Sequence, residues 1–220
     1  MSAVAAAHVA APPTVLPPNE AVYRDDGPFA RALGRLGGRV PVPALALLLA
    51  GVGVLFAAIA LTGADASPVL AGAVLAFVIL TVGVTSGHWP RASFHWAVPP
   101  LVRLAEYAGL VWLAAIAGGA GPAAAFALLA ALAFRHYDLV YGLRHRAELP
   151  PPWLNALAAG WDGRLIIAWL LLVAGALPAA FFVWAGVLGA ASLAATVSAW
   201  RHFERGRRPA EYDDAEDEGE

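Results

Sequence analysis

The sequence predicts an all-α integral membrane protein, a bundle of six transmembrane helices with both termini in the cytoplasm. Of its 220 residues, 60% are hydrophobic and only 14% are charged, which is more apolar side chain than a soluble domain of this size can bury. The apolar residues of the region 41–203 fall into six runs, each near the ~20 residues that a helix needs to cross a ~30 Å hydrocarbon layer. Backbone in lipid must satisfy its own hydrogen bonds, so these runs are expected to be helices.

The N-terminal part of the chain differs in composition from this apolar region. Residues 1–21 are rich in alanine and proline, and the prolines interrupt the apolar run that a secretory signal would need, so a disordered tail is predicted. In residues 22–40, arginines recur every four positions at Arg31, Arg35 and Arg39, which places them on one helical face. This spacing favours a short amphipathic helix on an anionic membrane surface, with a solvated juxtamembrane helix as the alternative.

Proline, glycine or charged residues bound each of the six predicted spans. The spans are Val42–Thr62, Val69–Thr85, Leu101–Ala117, Ala123–Leu143, Leu154–Ala176 and Ala179–Trp200. This count puts every arginine on one side of the membrane, and the connections on the other side hold a single charged residue, Asp65. The positive-inside rule therefore predicts that the arginines and both termini are cytoplasmic, in a protein of the plasma membrane. Residues 204–220, basic and then acidic, are predicted to be a disordered tail.

Ionisable side chains are costly inside an apolar bundle, so a cluster of them predicts a site. Three of the predicted spans each carry one carboxylate, which a helical rise of ~1.5 Å per residue places roughly 6–10 Å inside the cytoplasmic edge. These carboxylates are Glu106, Asp138 and Asp162. Gly160 and Gly163 flank Asp162 and favour an irregular turn, which would aim both Asp162 and Arg164 inward.

In a functional interpretation, these three carboxylates hold a hard divalent cation, Mg²⁺ or Mn²⁺, because such ions prefer oxygen ligands. They would also act as catalytic groups, with Tyr141 and His145 as candidates for proton transfer or substrate orientation. The arginines beside them would bind phosphate oxygens, which match the planar guanidinium. The predicted substrate-binding residues are Arg103, Arg135, Arg144, Arg164, Tyr107 and Trp161. The sequence carries no signal for haem, flavin, an iron–sulfur cluster or nucleic acid binding.

A structural interpretation is the alternative, in which neighbouring acids and arginines neutralise one another inside the bundle. The pairs would be Arg103–Glu106, Arg135–Asp138 and Asp162–Arg164. A purely structural bundle has no need of three ion pairs at one depth, each of which costs desolvation, and this favours the functional interpretation. The helical phase of the fourth span turns His136 away from the cluster.

The signature motifs of two membrane enzyme classes are incomplete or missing. Gly160–Arg164 contains the Asp-Gly that opens the CDP-alcohol phosphotransferase motif, Asp-Gly-x2-Ala-Arg-x8-Gly-x3-Asp-x3-Asp. However, Ile166 and Ile167 replace the Ala-Arg pair, and the later aspartates do not occur. The paired Asp-rich motifs of membrane prenyltransferases are missing as well, so neither class is predicted from its own signature.

Four blocks of the sequence, in order, resemble an actinobacterial membrane domain of unknown function. The blocks are Val22–Pro28, Trp96–Tyr107, Phe134–Tyr141 and Gly160–Arg164. In that family the domain commonly forms the C-terminal part of fusion proteins, after a nucleotidyltransferase-like domain and a CDP-alcohol phosphatidyltransferase domain. The resemblance therefore implies a nucleotidyltransferase or a CDP-alcohol phosphotransferase as a partner, in addition to the lipid bilayer.

Three functions are consistent with these patterns. The first is a metal-assisted enzyme acting on a phosphorylated or nucleotide-linked lipid or polyol at the cytoplasmic leaflet, since carboxylates and arginines at headgroup depth suit phosphoryl chemistry. The second is a non-catalytic membrane subunit or scaffold for a CDP-alcohol phosphotransferase, as the resemblance implies. The third is a small-molecule transporter, because buried charges also line substrate paths, although no internal repeat is visible.

Overall fold

A computed structural model of the chain describes residues 21–37, 43–88, 95–145 and 150–206. Within these ranges the backbone is helical, with short connections and no β-strand. The helices are α1, Ala21–Arg24; α2, Pro28–Gly37; α3, Ala44–Thr62; α4, Pro68–Val84; α5, Val98–Ala117; α6, Gly121–His145; α7, Pro152–Ala158; α8, Gly160–Val173; and α9, Leu177–Gly206. The predicted all-α class is confirmed for this part of the chain.

Six stretches of the described chain are helical, long and apolar enough to cross a membrane, as the sequence predicts. They are Ala44–Asp65, Pro68–Gly87, Val98–Ala117, Gly121–Leu143, Pro152–Val173 and Leu177–Arg201. The fifth is built from two helices, α7 and α8, with a break between them. The chain is therefore a multi-pass membrane protein, while the side of the membrane on which its termini lie and the identity of that membrane stay predictions.

Helix α5 lies in the middle of the bundle, where it packs against α3, α4, α6 and α8. Its buried face repeats at helical spacing and includes Val102, Ala105, Gly109 and Leu113. Gly109 allows close packing, because a Cβ at this position would lie 2.8 Å from the side chain of Leu165 on α8. Helices in lipid associate through such close packing of small residues, since lipid tails are as apolar as their side chains.

Successive spans run in opposite directions, so one end of the bundle gathers the last turn of α4, the first turns of α5 and α8, and the last turns of α6. We call it the arginine end. The arginines at this end include Arg103, Arg135 and Arg164. At the opposite end, the indole N–H groups of Trp112 and Trp169 donate to the carbonyl oxygens of Gly63 and Pro68, both at 2.8 Å.

Helix α2 lies outside the six spans and packs on the last turn of α4 and on the 3₁₀ turn Thr85–His88 at the arginine end. Its buried face consists of small residues, among them Ala30 and Gly34. The hydroxyl of Ser86 donates to the carbonyl oxygen of Ala30 at 2.9 Å. The opposite face of α2 is exposed and carries both arginines and large apolar side chains. These residues are Phe29, Arg31, Arg35 and Leu36.

Several predicted features fall outside the described residues. They include the tail predicted for residues 1–21 (apart from Ala21), Arg39, most of the tail predicted for residues 204–220, and the side chains of Arg144 and His145. The predictions for these parts of the chain stay predictions.

We expect chemical labelling to show the arginine end inside the cell. The chain has no cysteine, so single cysteines introduced at exposed positions report accessibility without background. A membrane-impermeant maleimide should label Ala64→Cys and Ala120→Cys in intact cells, because both residues are exposed at the end opposite the arginines. It should label Ala32→Cys, exposed on α2, only after lysis. Labelling of Ala32→Cys in intact cells would contradict the predicted orientation.

Candidate functional site

Asp25 stands at the centre of the charged site at the arginine end. It belongs to the short connection between α1 and α2 and has a left-handed backbone conformation, with φ 52°, which aspartate tolerates better than most residues. Three arginines from α5, α6 and α8 surround its carboxylate. Measured from Oδ2 of Asp25, Nη2 of Arg164 lies at 2.8 Å, Nη1 of Arg135 at 3.1 Å and Nη2 of Arg103 at 3.8 Å. A residue from outside the spans thus supplies the anion that these cations share.

Glu106 of α5 and Arg164 of α8 form the fully buried part of the same site, each with 0% of its surface exposed. Glu106 accepts hydrogen bonds from Nε of Arg164 and from Nη1 of Arg103. Arg164 also donates through Nη2 to Asp25 and through Nη1 to the carbonyl oxygen of Ala158, the last residue of α7. Every nitrogen of the Arg164 guanidinium therefore has an acceptor within the protein. We call the following residues the Asp25 network: Asp25, Arg103, Glu106, Arg135, His136 and Arg164.

His136 joins this network from α6. Its Nε2 lies 3.5 Å from Oδ2 of Asp25, and its Nδ1 lies 2.8 Å from the hydroxyl of Tyr107, whose ring stacks on the imidazole. The prediction that His136 points away from the site is wrong. Asp25 is reached by two adjacent residues of α6, Arg135 and His136, so the site extends over more of the surface of this helix than the face assigned from helical phase.

Asp162 binds the start of α2. Its fully buried carboxylate accepts hydrogen bonds from the backbone N–H groups of Gly27, Phe29 and Ala30. The first N–H groups of a helix have no partner within the helix, and the helix dipole favours an anion at this end. Asp162 therefore fixes α2 to α8. The predicted pair Asp162–Arg164 does not form, because the two side chains diverge on the first turn of α8 and Arg164 turns to Glu106 and Asp25.

The helix is interrupted between α7 and α8, where an irregular turn beside Asp162 was predicted. Ala159 and Gly160 both have positive φ values, 60° and 69°. A Cβ at Gly160 would lie 2.3 Å from Cα of Gly27, and a Cβ at Gly27 would lie 2.5 Å from Oδ1 of Asp162. Two backbone segments thus cross in van der Waals contact at paired glycines, and this crossing brings the residues 23–27 into the bundle.

The residues on either side of Asp25 are tied to the bundle as well. Arg24 is 1% exposed and donates to the carboxylate of Asp26, to the hydroxyl of Thr85 and to the carbonyl oxygen of Val82 near the end of α4. A cation is favoured at this end of a helix, where carbonyl groups lack partners. Asp26 also accepts a hydrogen bond at 2.7 Å from the indole N–H of Trp161, which is fully buried and was predicted to contact the substrate.

The remaining predicted site residues take other positions. Asp138 is half-buried on α6. The ring of Tyr141 packs against those of Tyr137 and Trp200, so it forms part of the contact between α6 and α9. Tyr107, predicted to bind substrate, is bonded to His136 through its hydroxyl, and its role toward a substrate stays a prediction.

The predicted set of metal ligands is not gathered at one point. Among the described residues, no group of three His, Cys, Asp or Glu side chains is placed to hold a metal ion. Glu106 is occupied by two arginines, and Asp162 by the first N–H groups of α2. The pairing of Arg103 with Glu106 agrees with the structural interpretation, whereas Arg135 pairs with Asp25 and not with Asp138 as predicted. A bound Mg²⁺ or Mn²⁺ stays a prediction.

Sequence reasoning missed Asp25, Asp26 and Arg24 as site residues because they lie outside the spans. Charge balance carried a signal for them. At the arginine end, Arg103, Arg135 and Arg164 exceed the carboxylates available within the spans once Asp162 binds the start of a helix. A further anion had to come from a neighbouring segment, and the Asp-Asp-Gly-Pro run of residues 25–28 precedes a helix at this end.

Two adjacent cavities open at the arginine end of the described bundle, and the first of them borders the Asp25 network. The first, which we call the polar cavity, has a volume of about 600 Å³, and its walls include Asp25, Asp26, Arg31, Arg135 and Asn155. The walls of both cavities are mostly apolar. The second, which we call the apolar cavity because Phe29, Ile166 and Ile167 line it in place of the carboxylates, has a volume of about 610 Å³. Its walls include Phe29, Arg31, Asn155, Ile166 and Ile167. The network therefore borders open space on the side of α7.

Comparison with known protein families matches residues 20–219 to a Family of unknown function (DUF5941). The chain belongs to this family. No curated protein and no solved structure matches it. Membership agrees with the resemblance to a membrane domain of unknown function, whereas the fusion with nucleotidyltransferase and CDP-alcohol phosphatidyltransferase domains stays a prediction. The site of this DUF5941 chain must accordingly be interpreted from its own geometry.

The surroundings hold the pKa of Asp25 well below its usual range. Burial alone would raise this pKa, but the charge of Arg164, the hydrogen bond with His136, and the charges of Arg135 and Arg103 outweigh burial. A folded pKa below the unfolded value of ~3.9 means that ionised Asp25 stabilises the fold above this pH. That stability is lost as the pH falls through the folded pKa.

We expect alanine substitutions at two glycines to differ in their effect on stability. Gly160→Ala should lower the melting temperature by at least about 5 °C, because it introduces a clash with Gly27 and a left-handed alanine that costs ~1–2 kcal/mol by itself. Gly186→Ala is the matched control, since it lies within α9 and a Cβ there meets nothing within 4 Å. It should leave the melting temperature unchanged or raise it slightly. Similar losses in both variants would contradict the proposed glycine crossing.

We also expect acid destabilisation to depend on Asp25. The melting temperature of the protein in detergent should stay nearly constant from ~pH 7 to ~pH 5 and fall below ~pH 4, because Asp25 there takes up a proton in the unfolded chain but stays ionised in the folded one. Asp25→Asn should melt lower at neutral pH and show a shallower decline in acid. Asp65→Asn, exposed at the opposite end, should follow the wild-type curve. An Asp25→Asn curve parallel to that of the wild type would show that this carboxylate does not carry the effect.

Proposed function

We propose that this chain is a non-catalytic membrane subunit that holds and stabilises a CDP-alcohol phosphotransferase at the membrane. One observation carries the proposal: three of the charged groups predicted to do chemistry are fully buried and bonded within the protein. Glu106, Asp162 and Arg164 each have 0% of their surface exposed. A catalytic acid or a phosphate-binding arginine must reach the substrate, and these three are engaged by partners in the chain.

The bonds of the Asp25 network support a mechanical role. Together with the bonds of Arg24 and Asp162, they fix residues 23–37, which we call the cap, to the ends of α4, α5, α6 and α8. A short segment outside the spans thus becomes part of the bundle. Removing one partner from a buried ion pair typically costs ~3–5 kcal/mol, which is a large fraction of the ~5–15 kcal/mol stability of a whole domain. A cap held in this way presents α2, with its exposed Arg35 and Leu36, as a fixed surface at the arginine end.

The choice of partner follows from the resemblance of the four sequence blocks to a domain that is fused to CDP-alcohol phosphatidyltransferases. Two domains of one fusion protein share a membrane and a leaflet, so the same pair can work as separate subunits. The incomplete phosphotransferase motif at Gly160–Arg164 also favours a non-catalytic role for this chain. Its Asp162 binds the start of helix α2, and the later aspartates of the motif do not occur.

The metal-assisted enzyme is the second candidate, and one observation favours it. The polar cavity of about 600 Å³ is lined by two carboxylates and two arginines, Asp25, Asp26, Arg31 and Arg135. In this alternative the cavity would accept a phosphorylated or nucleotide-linked lipid or polyol with Mg²⁺ or Mn²⁺. The transporter is less favoured, since charges that line a substrate path would not all be expected to be bonded to one another.

The test is reconstitution of the purified chain in lipid nanodiscs, alone and with a CDP-alcohol phosphotransferase from the same genome. We expect no turnover of CDP-alcohols, polyol phosphates or lipid phosphates by the chain alone with Mg²⁺ or Mn²⁺. The chain should raise the turnover rate of the partner enzyme, or the half-life of its activity, at least about twofold relative to the partner enzyme alone. Gly160→Ala, which loosens the cap, should abolish this gain, whereas Gly186→Ala should keep it.

Turnover by the chain alone that requires a divalent metal and is lost in Asp25→Asn would contradict the proposal and favour the enzyme. Circular dichroism and gel filtration of Asp25→Asn must show a folded, monodisperse protein for this comparison. If the partner enzyme were equally active and equally stable with and without the chain, the proposed role would also be contradicted.

A further inference from the structure

We propose that the polar and apolar cavities together form a binding site for one anionic phospholipid. Its phosphate lies against Arg31, Arg135 and Asn155, and an acyl chain lies against Phe29 and Ile167. This site belongs to the chain by itself and does not depend on the proposed role as a subunit of another enzyme.

The two cavities adjoin, because Arg31, Pro152 and Asn155 line both of them. Each volume, about 600 and 610 Å³, falls within the ~300–1,000 Å³ of typical small-molecule sites. The two cavities thus lie side by side, the first next to Asp25 and Arg135 and the second along the side of α8.

The polar groups that remain unused in the polar cavity are donors. Asp25 and Asp26 line this cavity, but their carboxylates already accept hydrogen bonds from arginine and tryptophan side chains. Arg135 is 2% exposed and donates through its Nη atoms to Asp25 and Asn155. Its buried Nε has no hydrogen-bond partner among the described residues. Because this Nε is buried, Arg135 contributes its positive charge rather than a hydrogen bond to a ligand in the cavity.

Arg31 and Asn155 supply donors at the junction of the cavities. Nε of Arg31 donates to the carbonyl oxygen of Asp26 at 2.9 Å, which orients the guanidinium and leaves its two Nη groups available. Oδ1 of Asn155 accepts from Arg135 at 2.6 Å, which leaves the amide NH₂ as a donor. Guanidinium and amide donors that converge on one space suit the oxygens of a phosphate.

The charge balance also favours an anion. Among the described residues tied together at this end, five arginines accompany four carboxylates. The arginines are Arg24, Arg31, Arg103, Arg135 and Arg164, and the carboxylates are Asp25, Asp26, Glu106 and Asp162. The exposed member of the arginine set is Arg31, which lines both cavities. An anion at the junction of the two cavities would therefore meet an exposed positive charge.

The apolar cavity distinguishes a phospholipid from a free phosphate. Ile166 and Ile167 belong to the fifth span, Pro152–Val173, so this cavity extends to membrane depth. Phe29 and Ile167 are 53% and 37% exposed, which leaves an apolar surface for an acyl chain. A phospholipid has its phosphate at the interface and its chains in the hydrocarbon layer, which matches a polar cavity at the start of the span and an apolar one along it.

The test is a binding titration of the purified full-length chain in a neutral detergent, followed by native mass spectrometry and thermal shift. The probes are dioleoyl phosphatidylglycerol, dioleoyl phosphatidylcholine, glycerol 3-phosphate and inorganic phosphate. We expect saturable binding of one phosphatidylglycerol. Arg31→Gln, an exposed position on α2, should weaken this binding at least about tenfold, since it removes charge-assisted hydrogen bonds. Ile167→Ser should also weaken it.

Arg35→Gln is the matched control, because Arg35 is exposed on the same helix and lines neither cavity. It should bind phosphatidylglycerol within about twofold of the wild type. Equal losses in Arg31→Gln and Arg35→Gln would overturn the proposal, since they would indicate a diffuse basic surface. Glycerol 3-phosphate or inorganic phosphate binding as tightly as the lipid would also overturn it, because the apolar cavity would then contribute nothing. A lack of saturable lipid binding would do the same, whatever the partner experiments show.

Discussion

The burial of Arg164 is the constraint on which the arginine end depends. A guanidinium with none of its surface exposed loses its hydration, which costs several kcal/mol. The protein must therefore supply acceptors for its N–H groups. Glu106 supplies one acceptor from α5, Ala158 another from α7, and Asp25 a third from the connection that precedes α2. A charge on one span therefore determines where a segment outside the spans must lie.

Helix ends explain why this segment is held so firmly. Asp162 of α8 binds the first N–H groups of α2, Arg24 binds a carbonyl oxygen near the end of α4, and Arg164 binds the last carbonyl oxygen of α7. In each case a charge of the favourable sign meets the partial charge of a helix terminus. Hydrocarbon offers no water to these groups, so a charged side chain from a neighbouring element satisfies them. The network and the helix ends thus stabilise each other.

The sequence predicts the spans and part of this site for physical reasons that differ between residues. A long apolar run in lipid has few alternatives to a helix, so the predicted bounds of the six spans agree with the observed ones to within a few residues. The glycines beside Asp162 predicted an irregular turn, and the helix is interrupted at Gly160. The pair Arg103–Glu106 is local, three residues apart on one helix, and follows from helical geometry. Asp25 is distant in sequence from its arginines, and no periodicity reports such a contact. Its position depends on tertiary packing at the glycine crossing.

What the site can do depends on which of its polar groups already have hydrogen-bond partners within the protein and which do not. Asp25 faces three arginines and has a pKa well below the usual range, so it holds a proton poorly and makes a weak general base at neutral pH. The unused groups, the Nη atoms of Arg31 and the amide nitrogen of Asn155, donate hydrogen bonds and cannot accept protons under these conditions. Such a set is suited to hold an anion in place, because its donors are fixed before the ligand arrives. The same bonds that disfavour proton transfer at this site therefore favour binding.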